Sequence, residues 1–528
     1  MKIFAACLIT AALVLSASAQ VSVITSRNDN SRDGQNLNET VLTPQNVNVN
    51  GFGKVFSQAV DGYVYAQPLY VPNVTIPGLG AHNVIYVATE HDSVYAFDAD
   101  NNTGMNASPL WQTSFINPTQ GVTTVSSGDV SCGDLVPEIG ITSTPVIDLN
   151  SQTMYLIAKT KENGSFFQRL HAIDITTGTE RANSPVVIKA SVPGTGDGSV
   201  NGVVKFDPLK EAQRPGLLLV NGTIYAAWAS HCDNGPYHGW VMSFDESSLK
   251  LKQVGNTTPN GGLGGVWQSG VGLASDGNYV FFATGNGTYD GPRGGKDFGD
   301  SVIKIPAAMN LTRPYDYFTP YDQLGFEDFD IDVGSGGVLL LPDQTGPHKH
   351  LLVQVGKSGS IYLIDRDHMG YYNSKNNNQI VQDQESAIGG LWAGPAWWNN
   401  NVYFGGSNDN LRQYTFDTTS GLLSTSAFAA TSTFFGFPGP TPSISANGNS
   451  DAIVWAIQTD AYGNVGPSIL HAYDATNVAS ELYNSNQNKS RDQAGGAVKF
   501  TVPTIANGKV YVPAVKELDV YGLLGRNK

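Results

Sequence analysis

Acidic, amide and lysine side chains in the second half of the chain are of the types that take part in catalysis. The acids are Asp328, Asp330 and Asp332, and they follow Asn286 and precede Lys357. A carboxylate can take a proton from a reacting hydroxyl group. An amide oxygen suits a hard cation, and an ammonium group stabilises negative charge that builds on a nearby oxygen. The plainer interpretation is also open, with the acids as solvated turn residues and Asn286 in a tight turn.

The N-terminus has the pattern of a secretory signal. Lys2 is followed by the apolar run Ile3–Leu15 and by the small residues Ser16–Ala19, so we expect residues 1–19 to be removed. No later apolar run reaches the length of about 18 residues that a membrane span needs. We therefore expect a secreted protein with no membrane partner. Weak support comes from ten Asn-x-Ser/Thr sequons typical of a glycoprotein: Asn38, Asn73, Asn101, Asn106, Asn163, Asn221, Asn256, Asn286, Asn310 and Asn488.

The cysteines agree with export. Cys7 lies in the signal, which leaves Cys132 and Cys232 as an even pair in an oxidising compartment. We predict one disulfide between them, with two free buried thiols as the alternative. Neither cysteine has the CxxC or CxxH spacing of a metal site.

Composition excludes two classes of protein. Apolar residues make up 41% of the 528-residue chain, enough to bury a core, so global disorder is excluded. The net charge of −15 would repel phosphate backbones, so nucleic acid is not an expected partner.

A repeated sequence motif, called the blade phrase below, indicates the strands that must position these residues. Alternating apolar residues, an aromatic residue or Ile, then Asp and a turn recur at intervals of roughly 55 to 75 residues. Two of the eight copies are degenerate. The copies are Val94–Asp98, Leu170–Asp174, Val241–Asp245, Ser301–Ile305, Ile361–Asp365, Gln413–Asp417, Leu470–Asp474 and Leu518–Gly522.

Each phrase follows another short apolar strand, and turn signals such as Asn221-Gly222 and Asn507-Gly508 separate strands. Short strands at regular intervals predict an all-β chain. Eight units of several strands each predict an eight-bladed β-propeller, formed by residues 20–528 as a single domain. A pair of β-sandwiches is the alternative.

The blade phrase, followed by Thr-Gly at Thr103-Gly104 and Thr177-Gly178, resembles the repeat of quinoprotein dehydrogenases. The resemblance covers nearly the whole mature chain and is nearest the alcohol and polyvinyl-alcohol dehydrogenase branches. It implies an eight-bladed propeller of quinoprotein alcohol dehydrogenase type that carries pyrroloquinoline quinone (PQQ) and Ca²⁺. Fold alone does not establish this chemistry.

The family's cofactor landmarks match part of the chain. Its quinone lies on a tryptophan of a Gly-Gly-x-x-Trp-like segment upstream of a Gly-Asn pair, which implies Trp267 as the floor. The paired asparagine implies Asn286 as a cofactor and Ca²⁺ contact. Trp267 as blade core remains the alternative, and a glycan on Asn286 would exclude the ligand role.

The resemblance also implies a base and a cation. The family's catalytic aspartate falls on Asp330, which would also bind Ca²⁺, with Asp332 as an alternative or as a brace for the loop. The family's next landmark is a basic residue before a strand ending in Leu-Asp-Arg. It falls on Lys357 in Gly356–Gly359, which would contact PQQ and stabilise its reduced form.

Three family contacts do not carry over cleanly. Tyr65 stands where the family often has Glu, and Glu138 stands where Arg should bind a PQQ carboxylate. A Glu there would repel a carboxylate unless it were protonated or bridged by a cation. The calcium-binding Glu has no clear match, and Asp233 or Asn234 could offer that oxygen. If Cys132 pairs with Cys232, we expect Glu138 and Asp233 on the same rim.

Three functions remain open. The first is a PQQ- and Ca²⁺-dependent oxidoreductase, a monomer acting on an alcohol or sugar hydroxyl and using an external electron acceptor. The second is a cofactor-free propeller that binds a ligand or glycan, or acts as a scaffold. The third is a different enzyme of secondary metabolism on the same fold. The sequence shows no CxxCH haem motif and no GxSxG or HExxH hydrolase motif. Convergence of Trp267, Asn286, Asp330 and Lys357 in one pocket would separate the first function from the second.

Overall fold

Eight sheets form the eight blades of a β-propeller, as predicted, and their main strands are antiparallel. The short edge strands Gln35–Asn36 and Tyr371–Tyr372 pair in parallel. The computed structural model describes residues 21–307 and 314–525. The predicted signal segment and the sequon at Asn310 lie outside the described residues. A two-stranded ribbon, Ser191–Pro193 with Val203–Lys205, adds to the blades. The described helices are short, with α1 at Gln323–Asp328 and α2 at Lys489–Asp492. None of the helices in the described ranges is long and apolar enough to cross a membrane.

The first four blades have these strands, with extra edge strands last. Blade 1 has Leu69–Ile76, Gly80–Ala88, Ser93–Asp98 and Trp111–Ser114. Blade 2 has Val146–Asp148, Thr153–Glu162, Ser165–Asp174 and Val186–Val187, then Val122–Ser126 and Glu138–Ile139. Blade 3 has Leu218–Val220, Thr223–Ser230, Trp240–Asp245 and Leu251–Asn256, then Glu211–Ala212. Blade 4 has Ala274–Ser275, Tyr279–Ala283, Val302–Pro306 and Asp316–Thr319, then Tyr371–Tyr372.

The other four blades continue the pattern. Blade 5 has Leu339–Leu340, Leu351–Val355, Ile361–Asp365 and Gln382–Gln384. Blade 6 has Ala396–Trp398, Asn401–Gly405, Asp409–Asp417 and Ala429–Phe435, then Leu422–Leu423. Blade 7 has Ser443–Asn447, Ser450–Gln458, Ile469–Asp474 and Glu481–Asn484, then Gln35–Asn36. Blade 8 has Thr504–Ala506, Lys509–Pro513, Val515–Leu523 and Phe52–Tyr63.

The repeated phrase is the third strand of each blade, and the apolar run before it is the second strand. In blade 5 the phrase Ile361–Asp365 coincides with the whole strand. Both strands are buried on both faces because each blade is covered by its two neighbours. Core clusters accordingly join adjacent blades, as where Leu156 of blade 2 packs with Val84 of blade 1. Inter-blade burial therefore selects the apolar phrase.

Blade 8 closes the ring with both ends of the chain. Phe52–Tyr63 pairs antiparallel with Val515–Leu523, so the fourth strand comes from the N-terminal part of the chain and the third from the C-terminal part. This pairing completes blade 8 with a fourth strand and ties the two ends of the chain together, which closes the ring.

The axial segment, residues 23–36, crosses the propeller axis and contacts the first-strand region of every blade. A chain that reaches all eight innermost strands must lie on the axis. Its hydrogen bonds from blade 1 to blade 8 pair Val23 with Tyr70, Ile24 with Ile147, Thr25 with Leu217, Asn30 with Ser275, Ser31 with Leu340, Asp33 with Trp397, Gly34 with Ile444, and Asn36 with Ile505.

Two buried arginines hold the axial segment in place. Arg27 donates to the carbonyls of Pro442 and Pro395 at 2.6 and 2.8 Å, and Arg32 donates to the carbonyl of Leu273 at 2.8 Å. Burial lowers the pKa of each guanidinium to about 10, while nearby acids act in the opposite direction, so both stay charged near neutral pH.

Candidate functional site

The predicted site residues lie on one face of the propeller because of where they stand in their blades. Asn286 and Lys357 follow the second strands of blades 4 and 5. Trp267 and Asp330 follow the fourth strands of blades 3 and 4. In an antiparallel blade the second and fourth strands end at the same edge. The strand order therefore brings these connections together.

The structure joins the predicted residues in one cavity of about 260 Å³. Trp267, Asp330, Asp332, Lys357 and Asp233 line it. Asn286 is joined to this group by hydrogen bonds. Trp392 also lines the cavity and packs edge-on against Phe437, while Trp397 and Trp398 are buried core.

Asp330, Asp332, Asn286 and Lys357 form one hydrogen-bonded cluster. Lys357 Nζ lies 2.7 Å from Asp330 Oδ1 and 2.6 Å from Asp332 Oδ2. Asn286 Nδ2 donates to Asp330 Oδ1 at 2.7 Å, and the Asn286 backbone N–H donates to Asp332 Oδ1 at 2.6 Å. Both contacts of Asp330 use Oδ1. Oδ2 of this 67% exposed side chain therefore remains open to the cavity.

The end of helix α1 aims Asp330. The Phe329 N–H bonds to the Gly325 carbonyl, and the Ile331 N–H reaches back to the Phe326 carbonyl at 2.9 Å. This pattern ends the helix with one residue in the left-handed region, and that residue is Asp330 at φ 57°. An aspartate in this position costs some backbone strain, which is a common feature of functional sites.

Asp332 sits against the backbone of the Gly-Asn pair. A Cβ at Gly285 would overlap Asp332 Oδ1, so glycine is required for the carboxylate to approach. Burial raises the pKa of Asp332, and Lys357 opposes that effect. Burial also acts to lower the pKa of Lys357, but the charges of Asp332 and Asp330 outweigh it and raise that pKa. Lys357 is therefore a stable cation, and Asp332 serves as its buried partner.

Buried polar side chains position Trp267. Gln268 Oε1 accepts from the Ala283 N–H at 2.9 Å, which joins the Trp267 segment to the strand before Asn286. Ser269 Oγ donates to the Ser335 carbonyl at 2.7 Å, just beyond Asp332. Trp267 is half-buried, and Lys357 Nζ lies 5.9 Å from the centroid of its ring. The indole is thus an accessible platform rather than blade core.

Two cations on the cavity wall were missed by sequence reasoning. Arg214 lies 6.0 Å from the Trp267 ring and 4.5 Å from the Phe500 ring. Lys499 Nζ lies 3.2 Å from Asp134 Oδ1. Burial and the neighbouring Arg214 lower the pKa of Lys499, and Asp134 opposes them. Phe500, next to Lys499, has a left-handed φ of 66°. Neither Arg214 nor Lys499 stands in a recognisable sequence motif.

The predicted disulfide is present. Cys132 and Cys232 are joined with their Cα atoms 5.6 Å apart. The bond ties the loop that carries Asp134 to the loop that carries Asp233. Asp233 Oδ1 accepts from Tyr237 Oη at 2.7 Å and from Ser230 Oγ at 3.0 Å. Asp233 therefore lies on the cavity wall but is held apart from the Asp330 cluster.

The expectation that Glu138 shares this rim is wrong. Glu138 contacts His91 Nδ1 at 2.9 Å and Thr124 Oγ1 at 2.8 Å, and it does not line the cavity. Tyr65 lines a smaller cavity that it shares with Arg214. The sequence position of the family's arginine is thus filled by an acid turned toward His91, while Arg214 supplies positive charge from another blade.

The donor set fits both groups that the resemblance implies. Asn286 Oδ1 is buried with no hydrogen-bond partner among the described residues, and together with the Asp330 carboxylate it offers the hard oxygens that Ca²⁺ prefers. PQQ carries three carboxylates, and Arg214, Lys357 and Lys499 supply three cations beside the Trp267 ring. Asn286 Nδ2, the atom that a glycan on this sequon would modify, donates to Asp330.

The hypothesis that this cavity binds PQQ predicts that Arg214→Met weakens PQQ binding about 10- to 100-fold, because a charge-assisted contact in a partly desolvated site is lost. Equilibrium dialysis of PQQ against the folded variant measures this. Lys205→Met removes an exposed positive charge elsewhere and is the matched control. Equal PQQ affinity in both variants would contradict the role of Arg214.

A buried acid near Arg214, Glu90, should make the stability of the folded protein depend on pH. Glu90 Oε2 accepts from the Gly140 N–H at 2.8 Å, and Oε1 has no partner among the described residues. Burial raises the pKa of Glu90 from its ordinary 4.5 to about 7. The stability that protonated Glu90 provides is complete below pH 4.5 and is lost as the pH rises to about 7.

We therefore expect Glu90→Gln to flatten this pH dependence. Ionisation of Glu90 costs about 3 kcal/mol at alkaline pH, so the variant should gain about that much stability relative to the parent between about pH 5 and about pH 8. Urea unfolding at the two pH values measures the difference. Parallel pH profiles for the two proteins would show that Glu90 does not carry the effect.

Comparisons with solved structures define the class of fold. The quinohemoprotein alcohol dehydrogenase ADHIIG from Pseudomonas putida HK5 has a TM-score of 0.59 at 14% identity, with 98% of this chain and 83% of that chain covered. A europium-containing methanol dehydrogenase has a TM-score of 0.60 at 13% identity, with 95% of this chain and 98% of that chain covered. The chain has the eight-bladed propeller fold of these dehydrogenases. No family model and no curated protein matches its sequence.

Proposed function

We propose that this protein is a PQQ- and Ca²⁺-dependent oxidoreductase that oxidises an alcohol or sugar hydroxyl and passes the electrons to an external acceptor. One observation carries the proposal. Trp267, Asn286, Asp330 and Lys357, from four separate connections, form one group around a single cavity. A cofactor-free scaffold has no need for this combination of an aromatic platform, a paired ammonium group and an open carboxylate.

Each side chain has a defined task. Asp330 accepts the hydroxyl proton at Oδ2, while Oδ1 stays bonded to Lys357 and Asn286. Lys357 stabilises negative charge on a ligand oxygen next to the Trp267 ring. Arg214 and Lys499 bind ligand carboxylates. Bound PQQ would supply the two-electron acceptor that no side chain provides.

Calcium would be held from one side of the cavity. Asn286 Oδ1 and the Asp330 carboxylate would be its ligands on this chain. The bound ion would polarise a quinone carbonyl. Asp332 is the buried counter-ion that holds Lys357 in place.

We place this activity outside the cell, as the signal-like N-terminus and the disulfide both favour. The proposed working unit is a monomer, and residues of one chain are sufficient to form the cluster. Its electron acceptor is a separate molecule.

Reconstitution tests the proposal. The secreted protein is loaded with PQQ and Ca²⁺, and oxidation of primary alcohols and sugars is followed with an artificial dye acceptor. We expect turnover that requires PQQ and that Trp267→Ala abolishes, while Trp398→Phe, a change in the blade 6 core, leaves it intact. The proposal would be refuted by well-folded protein that does not bind PQQ, or that binds PQQ and oxidises none of the substrates.

A further inference from the structure

A second cavity of about 390 Å³ lies beside the first. Its lining is polar, with only Val130 and Leu209 as apolar side chains. The polar side chains are Asp129, Ser131, Lys210, His231, Asp233 and Asn234. A site for a small unbranched alcohol needs no such cavity.

The two cavities share a wall. Asp233 lines both, and Cys232 lines the first while its disulfide partner is next to Ser131, which lines the second. Asp233 Oδ1 takes the bonds from Tyr237 and Ser230, and no described residue donates to Oδ2. Asp233 can therefore accept a hydrogen bond from a ligand that extends from one cavity into the other.

The second cavity is built for a neutral polar ligand. Asp129 is paired with Lys161. Lys210 Nζ donates to the Gly235 carbonyl at 2.6 Å. Asn234 Nδ2 donates to the carbonyls of Val130 and Ser131, each at 3.1 Å.

These contacts, with the disulfide, hold both loops in place without a ligand. Apart from the paired Asp129, the wall carries one charge of each sign, on Lys210 and Asp233, so a ligand with a large net charge gains little there. Hydroxyl groups can replace cavity water with equivalent hydrogen bonds.

We propose that the second cavity binds the remote hydroxyl groups of a sugar or sugar alcohol whose reacting hydroxyl lies beside Asp330. The inference rests on the proposed function and narrows its substrate class from alcohols in general to polyhydroxylated compounds. Asp233 is the residue that links the two cavities.

Filling the second cavity tests this. Ser131→Trp places a large side chain in it, and Lys210→Met removes a polar group from its wall should the first variant fold poorly. Val136→Trp is the matched control, on the same loop, exposed and lining neither cavity. The probes are sorbitol, glucose, maltose and cellobiose against 1-butanol, with PQQ- and Ca²⁺-loaded protein.

We expect kcat/KM for the best polyhydroxylated probe to fall at least about tenfold in Ser131→Trp, while kcat/KM for 1-butanol and the affinity for PQQ stay within about twofold. The Val136→Trp control should match the parent throughout. A parent protein that prefers 1-butanol, or a variant that loses both activities equally, would overturn the inference and leave the proposed function standing.

Calorimetric titration of the same sugars into PQQ-free protein separates the two claims. Sugar binding that Ser131→Trp abolishes would support the second cavity as a subsite even if PQQ failed to bind and the proposed function fell. No sugar binding, in a protein that also oxidises none of the polyhydroxylated probes, would overturn the inference.

Discussion

Asp330→Asn should abolish oxidation in the PQQ-loaded protein, with kcat reduced about 10²- to 10⁴-fold. The amide has nearly the same shape as the carboxylate, so its oxygen can keep the contact with Lys357. In the parent protein this contact is 2.7 Å. It cannot accept the hydroxyl proton. Steady-state kinetics with a dye acceptor measures the loss, and PQQ affinity, measured separately, should change far less than kcat.

Asp332→Asn is the informative comparison. Asp332 is buried, and both of its oxygens are engaged, by the Asn286 N–H and by Lys357. We expect this variant to lose PQQ affinity because Lys357 keeps only its exposed partner Asp330, while kcat at saturating PQQ falls far less than in Asp330→Asn because the base is intact. Comparable kcat for Asp330→Asn and the parent protein would show that Asp330 is not the base.

Arg27→Met should destabilise the whole propeller by about 3–5 kcal/mol. The substitution leaves the carbonyls of Pro442 and Pro395 buried without their donor, at the place where blades 6 and 7 meet the axial segment. Urea unfolding followed by tryptophan fluorescence measures the change. The effect should be global, since the axial segment bonds to all eight blades.

Arg293→Met provides the reference for that experiment. Arg293 is exposed, and its side chain forms none of the hydrogen bonds or ion pairs found among the described residues, so its loss should cost less than about 0.5 kcal/mol. If Arg27→Met unfolded at the same urea concentration as Arg293→Met, the contacts of Arg27 in the axial segment would not stabilise the propeller.

The blade architecture could be predicted because the third strand of each blade is buried on both faces and therefore repeats the same apolar pattern. A strand such as Ile361–Asp365 is covered on both faces, so its apolar pattern appears directly in the sequence. Trp267, Asn286, Asp330 and Lys357 were named as a set only by the resemblance to quinoprotein dehydrogenases. The structure groups them because each follows a second or fourth strand of its blade. Cys132 and Cys232 were the only pair left for a disulfide once Cys7 was assigned to the signal.

The cations of the cavity could not be predicted in the same way. Arg214 enters from blade 3 and Lys499 from the connection into blade 8, so neither has a spacing that links it to Trp267. Their role depends on the ring closing through long-range contacts. Glu138 was misplaced for a related reason, since its position along the chain does not show that His91 of the neighbouring blade draws it away.

The sequence also did not indicate the axial segment. Residues 23–36 are mostly polar and form only the two-residue strand Gln35–Asn36. Such a stretch resembles a surface loop, yet Arg27 and Arg32 are fully buried. The carbonyl groups that surround the two arginines come from blades far away in sequence, and only the closed ring brings them together.

Titration of the Ca²⁺-loaded protein with PQQ, followed by quenching of tryptophan fluorescence, shows whether this cavity binds a quinone. We predict saturable binding with a Kd of about 1 μM or tighter, weakened at least about 100-fold by Trp267→Ala and about 10- to 100-fold by Arg214→Met. Trp398→Phe should bind as the parent does. Absence of saturable binding by well-folded protein, or equal binding by parent and Trp267→Ala, would contradict the account of this cavity as a quinone site.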